Sequence, residues 1–393
     1  MSDTIDPEPV RAGPVSRRVI IIRIVPSKNP NSSAPDAMSP HPDARLAALR
    51  EWLEHLAPAH GLEPATIRPA SADASFRRYF RIDLAASVEG SRPASRIVMD
   101  APPAHEDCRP FVHAARILRA ADVRVPDIHA QDLEQGFLLL EDFGDATWLD
   151  LLHACAGDDA RIDALMRAAL DALVRLQAAS RSGVFPDYDR ALLRRELDLY
   201  PQWYVERHRG VTLTDDDRNT LETAFSALLA NNLSQARVFV HRDWHSRNLM
   251  MPPSGAHPGV IDFQDAVYGP LTYDLVSMLR DAYIEWPEER QIDWAVRHWQ
   301  AVRRHRLPVP ADFGEYYRDI EWMGLQRHLK VLGIFARLYH RDGKERYLAD
   351  LPRVLAHVLR TVHRYREFAA LARLIERIEP AQETTMRVTG HTF

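Results

Sequence analysis

The hydrophobic pattern changes character past Asp142-Phe143-Gly144-Asp145, from mixed strand and helix to almost all helix, and the change divides the chain. Near the start of the patterned region, Leu46, Leu49, Trp52, Leu53 and Leu56 recur at three- and four-residue spacing, so a helix is expected with Asp43 as its N-cap. Residues 75–82 and 95–99 then read as two strands around a polar turn at 87–92. A helix follows over about 107–121, with Phe111, Ala114, Ala115 and Leu118 on one face, and short strands at 127–131 and 136–140. Past Asp142-Phe143-Gly144-Asp145 almost everything is helical: about 147–155, 160–180, 190–207, 214–231, and from 271–281 on to about 378. A single island, residues 238–264, is not. The expected fold is α+β and bilobal, with a small β-rich N-terminal lobe (41–142) and a large α-helical C-terminal lobe (143–393). A cleft between two such lobes is where a small-molecule site belongs. Residues 1–40, rich in Pro, Ser, Asn and Asp, read as a tail, with Met38 the expected start of the native chain.

Composition narrows the function classes. A net charge of −5 over 393 residues gives no basic surface of the kind that phosphate neutralisation on a nucleic acid requires. No stretch reaches the ~18–20 apolar residues of a membrane span. The apolar run at 19–25 is short, carries Arg23, and lacks a small-residue cleavage site, so no signal peptide is expected. The two cysteines, Cys108 and Cys155, form no CxxC pair, which fits a reducing compartment. A cytoplasmic monomer is the expectation. Lysine stands only at Lys28, Lys330 and Lys344 among 50 basic residues, so a phosphate clamp here has to be built from arginine.

The non-helical island carries the chemistry. It runs His241-Arg242-Asp243-Trp244-His245-Ser246-Arg247-Asn248 after an apolar strand, and Gly259-Val260-Ile261-Asp262 ends another strand shortly after. Asp243 and Asn248 lie five apart across one loop, and Asp262 sits at an adjacent strand end. Phosphoryl transfer needs positioning, neutralisation of charge by metal and a proton acceptor for the attacking hydroxyl, and little covalent help. Asn248 and Asp262 offer the few hard oxygens Mg²⁺ prefers, and Asp243 is a separate carboxylate to orient and deprotonate an acceptor.

This is the H-R-D-x-x-x-x-N loop of the kinase fold followed by its metal-binding Asp. The block from His241 through the Gly269-Pro270 and Asp274-Leu275 segment resembles the aminoglycoside phosphotransferase and choline kinase branch. That resemblance implies ATP and Mg²⁺, with Asp243 as catalytic base and Asn248 and Asp262 on the metal. It also implies that Asp274 braces the catalytic loop and that His241 is a structural member of it. Ser71 to Arg81, Ile97 to Pro103, Asp107 to Phe111, Leu140 to Asp145 and Arg280 to Pro287 are further similar to bacterial anomeric sugar kinases of cell-wall recycling, over roughly residues 41–375. Those enzymes phosphorylate the C1 hydroxyl of N-acetylmuramate and N-acetylglucosamine. The expected partners are therefore a nucleotide and a small sugar, with no nucleic acid and no membrane.

Two departures from the kinase pattern stand out. The strand at 95–99 carries no lysine, so Arg77 or Arg78, in the hairpin over the phosphates, is the candidate replacement. An acid on the next helix that such a lysine would meet is Glu106 or Asp107. The phosphate loop has no glycine, and Ser75 among small residues is the candidate for close backbone approach. Glu141 and Phe143, in the connector, are expected beside the nucleotide base. For the sugar, His245, Arg247, Asp265, Asp281 and Trp286 are the candidates, with Arg247 or Arg280 for the lactyl carboxylate of N-acetylmuramate. An aminoglycoside, choline or another small hydroxyl compound is the alternative acceptor within the same fold. A non-catalytic nucleotide-binding scaffold is the alternative outside it, and the intact set Asp243, Asn248 and Asp262 argues against that.

Overall fold

The structure, a computed structural model, describes residues 42–71, 77–85, 95–252 and 257–379. The tail at 1–40, the candidate Ser75 and the turn at 87–92 lie outside the described residues. The first helix, α1 (Pro42–His60), begins one residue before the expected cap, so Asp43 lies in its first turn. Proline suits that position, because its missing N–H would find no partner at a helix start.

Strands β1 (Arg68–Ser71), β2 (Arg78–Asp83) and β3 (Ser95–Asp100) precede α2 (Arg109–Ala120), and β4 (Ile128–Asp132) and β5 (Phe137–Glu141) follow it. They form one antiparallel sheet in the order β1-β2-β3-β5-β4. The period of two then sorts the side chains. Ile82, Val98, Phe137 and Leu139 pack under Leu49 and Leu53 of α1. Met99, Leu138 and Leu140 point the other way, into a core shared with Phe111, Ala114, Ala115 and Leu118 of α2. Strand β1 was not legible because it contains Pro69, which an edge strand tolerates and a central one does not.

The C-terminal lobe comprises α3 (Trp148–Ala154), α4 (Asp159–Ala178), α5 (Arg190–Leu197), α6 (Asp215–Ser234), α7 (Thr272–Leu279), α8 (Glu288–Arg304), α9 (Phe313–Asp342), α10 (Leu351–Arg364) and α11 (Ala369–Ile378). The helix expected over 190–207 is two segments: α5 ends at Leu197, and a wider π-helical turn runs Tyr200–His208. Pro201 removes a backbone donor at that junction, which breaks the regular ladder. This turn packs on α9 at Gly333, where an added Cβ would lie 2.4 Å from the Leu199 carbonyl. Gly343 ends α9 in the left-handed conformation expected of it, at φ 66°.

The island resolves into β6 (Arg237–Val240), β7 (Leu249–Met250), β8 (Gly259–Val260) and β9 (Val267–Pro270). Strand β9 pairs with β6 and was not anticipated, since Gly269 and Pro270 argue against a strand. Helix α9 runs through the middle of this lobe, and every residue from 320 to 338 is buried. Among the described residues no helix is long and apolar enough to cross a membrane. Cys108 and Cys155 are both buried and unbridged.

Candidate active site

The loop between β6 and β7 is held by backbone bonds and by one carboxylate. Asp274, at the start of α7, accepts from the His241 N–H at 2.6 Å and the Arg242 N–H at 2.9 Å. Arg242 is thereby fixed at φ 78°, a strained conformation for a residue with a side chain. The His241 ring bonds the Ile261 carbonyl through Nε2 at 3.0 Å and accepts from the Asp243 N–H through Nδ1 at 3.2 Å. Burial pushes that ring down to about 4, so it stays neutral and can keep both roles. Under the loop, Glu196 joins the Arg242 guanidinium, the Lys330 ammonium at 3.0 Å and the Tyr188 hydroxyl. Burial pushes Glu196 up, but the two cations outweigh it and hold the carboxyl at about 2.

Asp243 is buried at the centre of this frame. Its carbonyl accepts from the Asn248 side-chain amide at 3.1 Å, and that same amide lies 3.4 Å from the Asp262 carboxylate. Asp262 adopts φ 64° at the end of the β8 segment, which turns its carboxylate back toward Asn248. Burial raises Asp243 above the usual carboxylate range, opposed by Lys330, Arg327 and Arg242. Burial and the neighbouring Asp243 charge likewise hold Asp262 well above its ordinary value. Two carboxylates so placed repel one another until a cation sits between them.

The donor set fits Mg²⁺. The Asn248 side-chain oxygen is buried without a hydrogen-bond partner, and it lies on the same amide that reaches Asp262. One amide oxygen and one carboxylate leave room for water and phosphate oxygens, as Mg²⁺ prefers. Among the described residues no group of three His, Cys, Asp or Glu converges to make an all-protein metal cage.

Above these residues, the two lobes enclose a largely apolar cleft lined by Tyr79, Ile97, Leu140, Glu141, Phe143, Met250, Ile261 and Asp262. Glu141 and Phe143 both line this cleft. The Glu141 carboxylate is committed to Arg124 and to the Asp127 N–H, which leaves the connector backbone and the Phe143 ring to face the cleft. A Cβ on Gly259 would lie 2.5 Å from that ring, so glycine lets Phe143 close the floor.

Their partners decide between the two arginines. Arg78 points toward α1 and pairs with Asp100, together with Arg45, so its candidacy for the phosphates is corrected. Arg77, just before β2, is buried and pairs with Glu106 at 3.3 Å. Its charge also draws Asp262 down, against the burial that raises it.

The sugar candidates divide. His245 is buried and lines a pocket with Asp243, Tyr273, Tyr283, Arg327 and Lys330. Arg247 stacks on the Tyr283 ring at 3.6 Å. Asp265 is half-buried, close enough that its charge acts on His241, Asp243 and Asp262. Asp281 is corrected: it accepts from the Ser246 N–H at 2.9 Å, the Ser246 hydroxyl at 2.6 Å and the Tyr283 N–H at 3.0 Å, so it braces the loop. Trp286 is corrected as well: it packs edge-on against Trp294 and lines an outer groove that excludes Asp243. Arg280 is locked in a buried ion pair with Glu321 at 2.8 Å and is not free for a carboxylate. Sequence reasoning missed Arg327 and Lys330. The available signal was charge at apolar-period positions of a helix that is otherwise core.

Comparison with known proteins places the chain in a family. Residues 66–316 match the model of the phosphotransferase enzyme family. The chain is 46% identical over 347 residues to the N-acetylmuramate/N-acetylglucosamine kinase of Pseudomonas putida, covering 86% of this chain and 98% of that protein. It is 47% identical over 348 residues to the protein of the same name from Pseudomonas aeruginosa, covering 87% and 99%. Its fold is similar to that of the choline kinase LicA from Streptococcus pneumoniae, with TM-score 0.54 and 11% identity over 79% of this chain and 99% of that one. The chain is thus matched along most of its length, and it belongs to the phosphotransferase enzyme family.

Proposed function

We propose that this enzyme transfers the γ-phosphoryl group of ATP to the anomeric C1 hydroxyl of N-acetylmuramate and N-acetylglucosamine, in the cytoplasm. The observation that carries the reading is a buried carboxylate, Asp243, with its side chain in a pocket and the Asn248–Asp262 donor pair beside it. The names of the relatives at 46% and 47% identity point to the sugar.

Asp243 accepts the proton of the C1 hydroxyl. The freed oxygen forms its bond to the γ-phosphorus in line as the bond to the β-bridging oxygen breaks, and ADP leaves with that electron pair. Asn248 through its side-chain oxygen and Asp262 through its carboxylate would hold Mg²⁺, which when bound supplies neutralisation of phosphate charge. Arg77, steered by Glu106, would meet the phosphates in place of the absent lysine. Phe143 and the connector backbone would seat the base, and His241 and Asp274 keep the loop in shape.

Arg77→Met is expected to raise KM for ATP by about 10–100-fold, the worth of one charge-assisted hydrogen bond, with a smaller change in KM for sugar. Steady-state kinetics varied in each substrate checks this, and equal effects on both constants would remove Arg77 from the nucleotide site. The substrate class is tested by ADP release on a panel of free sugars, aminoglycosides and choline. Turnover with the two N-acetyl sugars is expected. Turnover with aminoglycosides or choline alone would overturn the reading.

A further inference from the structure

The pocket beside Asp243 contains a buried cation with unbonded donors. Arg327, on α9, is 4% exposed. Its Nε and Nη1 have no hydrogen-bond partner, and it forms no ion pair among the described residues. Lys330, one turn further on, shows the usual arrangement for a buried charge, reaching Glu196 at 3.0 Å and the Tyr273 hydroxyl at 2.6 Å.

The carboxylates nearest in charge to Arg327 are already committed. Asp274 holds two backbone N–H groups of the loop, and Asp281 holds Ser246 and Tyr283. Asp243 is needed for the reacting hydroxyl. The rest of the wall is Tyr273, Ala282, Tyr283, Val331, Ile334 and Phe335, with the Nδ1 of His245 also lacking a partner. A desolvated guanidinium whose neighbouring carboxylates are committed elsewhere is costly unless an oxyanion enters with the ligand, and the planar fork suits a carboxylate.

Of the two proposed sugars, one brings such a group: N-acetylmuramate carries a lactyl ether on O3 that ends in a carboxylate, and N-acetylglucosamine has a hydroxyl there. We propose that Arg327 receives the lactyl carboxylate of N-acetylmuramate and sets the preference of the acceptor pocket between the two sugars. The assignment rests on the sugar-kinase reading above. It replaces Arg247, stacked on Tyr283, and Arg280, paired with Glu321, in that role.

The test is the ratio of kcat/KM for N-acetylmuramate to that for N-acetylglucosamine. Arg327 also steadies the Asp243 charge, so a loss common to both sugars is expected and cancels in the ratio. In Arg327→Met the ratio falls by about 10–100-fold, and Arg327→Lys restores part of it. The lactyl methyl ester of N-acetylmuramate, tried on the unaltered chain, loses a similar factor, and the ester with Arg327→Met loses no more than either change alone. An unchanged ratio in Arg327→Met overturns the proposal and makes Arg327 a support of Asp243. Equal use of the ester and the free acid by the unaltered chain overturns it without any variant, so a failure of Arg327→Met to fold leaves the question decidable. If the unaltered chain phosphorylates neither sugar, the kinase reading falls, and this assignment with it.

Discussion

Asp243→Asn is expected to fold as the parent does and to lose about 10²–10⁴ of kcat, the usual worth of a positioned general base. The two halves of that expectation come from different atoms. The loop depends on the backbone of residue 243: its N–H bonds His241, and its carbonyl accepts from Asn248 and from the His245 N–H at 2.9 Å. The carboxylate itself faces the pocket with His245, Arg327 and Lys330. An amide of the same shape keeps the frame and removes the proton acceptor. The parallel readouts are thermal melting, ADP affinity and single-turnover phosphoryl transfer. A melting temperature and ADP affinity near the parent's with kcat reduced as stated is the expected set. Near-normal kcat would show that the proton is accepted elsewhere.

Asp262→Asn is expected to lower phosphoryl transfer by about 10²–10⁴, because the metal's contribution to charge stabilisation is several kcal/mol. It should also raise the melting temperature in metal-free buffer at neutral pH. Burial and the adjacent Asp243 carboxylate hold Asp262 well above its ordinary value of 3.8, so the folded state binds that proton more tightly than the unfolded chain does. Ionising the group therefore costs the folded state nothing below pH 4 and progressively more as pH rises above it. Asparagine removes that cost and tolerates the φ of 64° at this position. The stabilising effect should vanish in acid and shrink when Mg²⁺ is added to the parent. A destabilised variant at neutral pH, with or without Mg²⁺, would contradict the placement of Asp262 in a cation site with Asn248.

Local pattern carried the larger part of the fold. Helical spacing located α1 and α2 to within a few residues, because in each a single face is buried, and β3 was marked by its short β-branched run. Where proline or glycine overrode the pattern, it misled: Pro69 hid β1, Gly269 and Pro270 hid β9, and Pro201 split what read as one helix. The catalytic loop was legible because Asp243, Asn248 and Asp262 are close in sequence and their spacing is itself the chemistry. The acceptor site was not, because orientation decides it. Asp281 and Trp286 are near the loop in sequence, yet one turns back to hold Ser246 and the other packs on Trp294. Arg327 is distant in sequence and arrives through the packing of α9. Arg77 and Arg78 are neighbours in sequence, yet one is buried against Glu106 and the other pairs with Asp100.

The position of the phosphoryl group on the product tests the account most directly. With ATP, Mg²⁺ and N-acetylmuramate, phosphorus NMR of the product should show coupling to the anomeric proton, and the C1 methyl glycoside should give no product. Phosphate on any other carbon, or undiminished turnover of the methyl glycoside, would contradict an enzyme whose Asp243 takes its proton from C1.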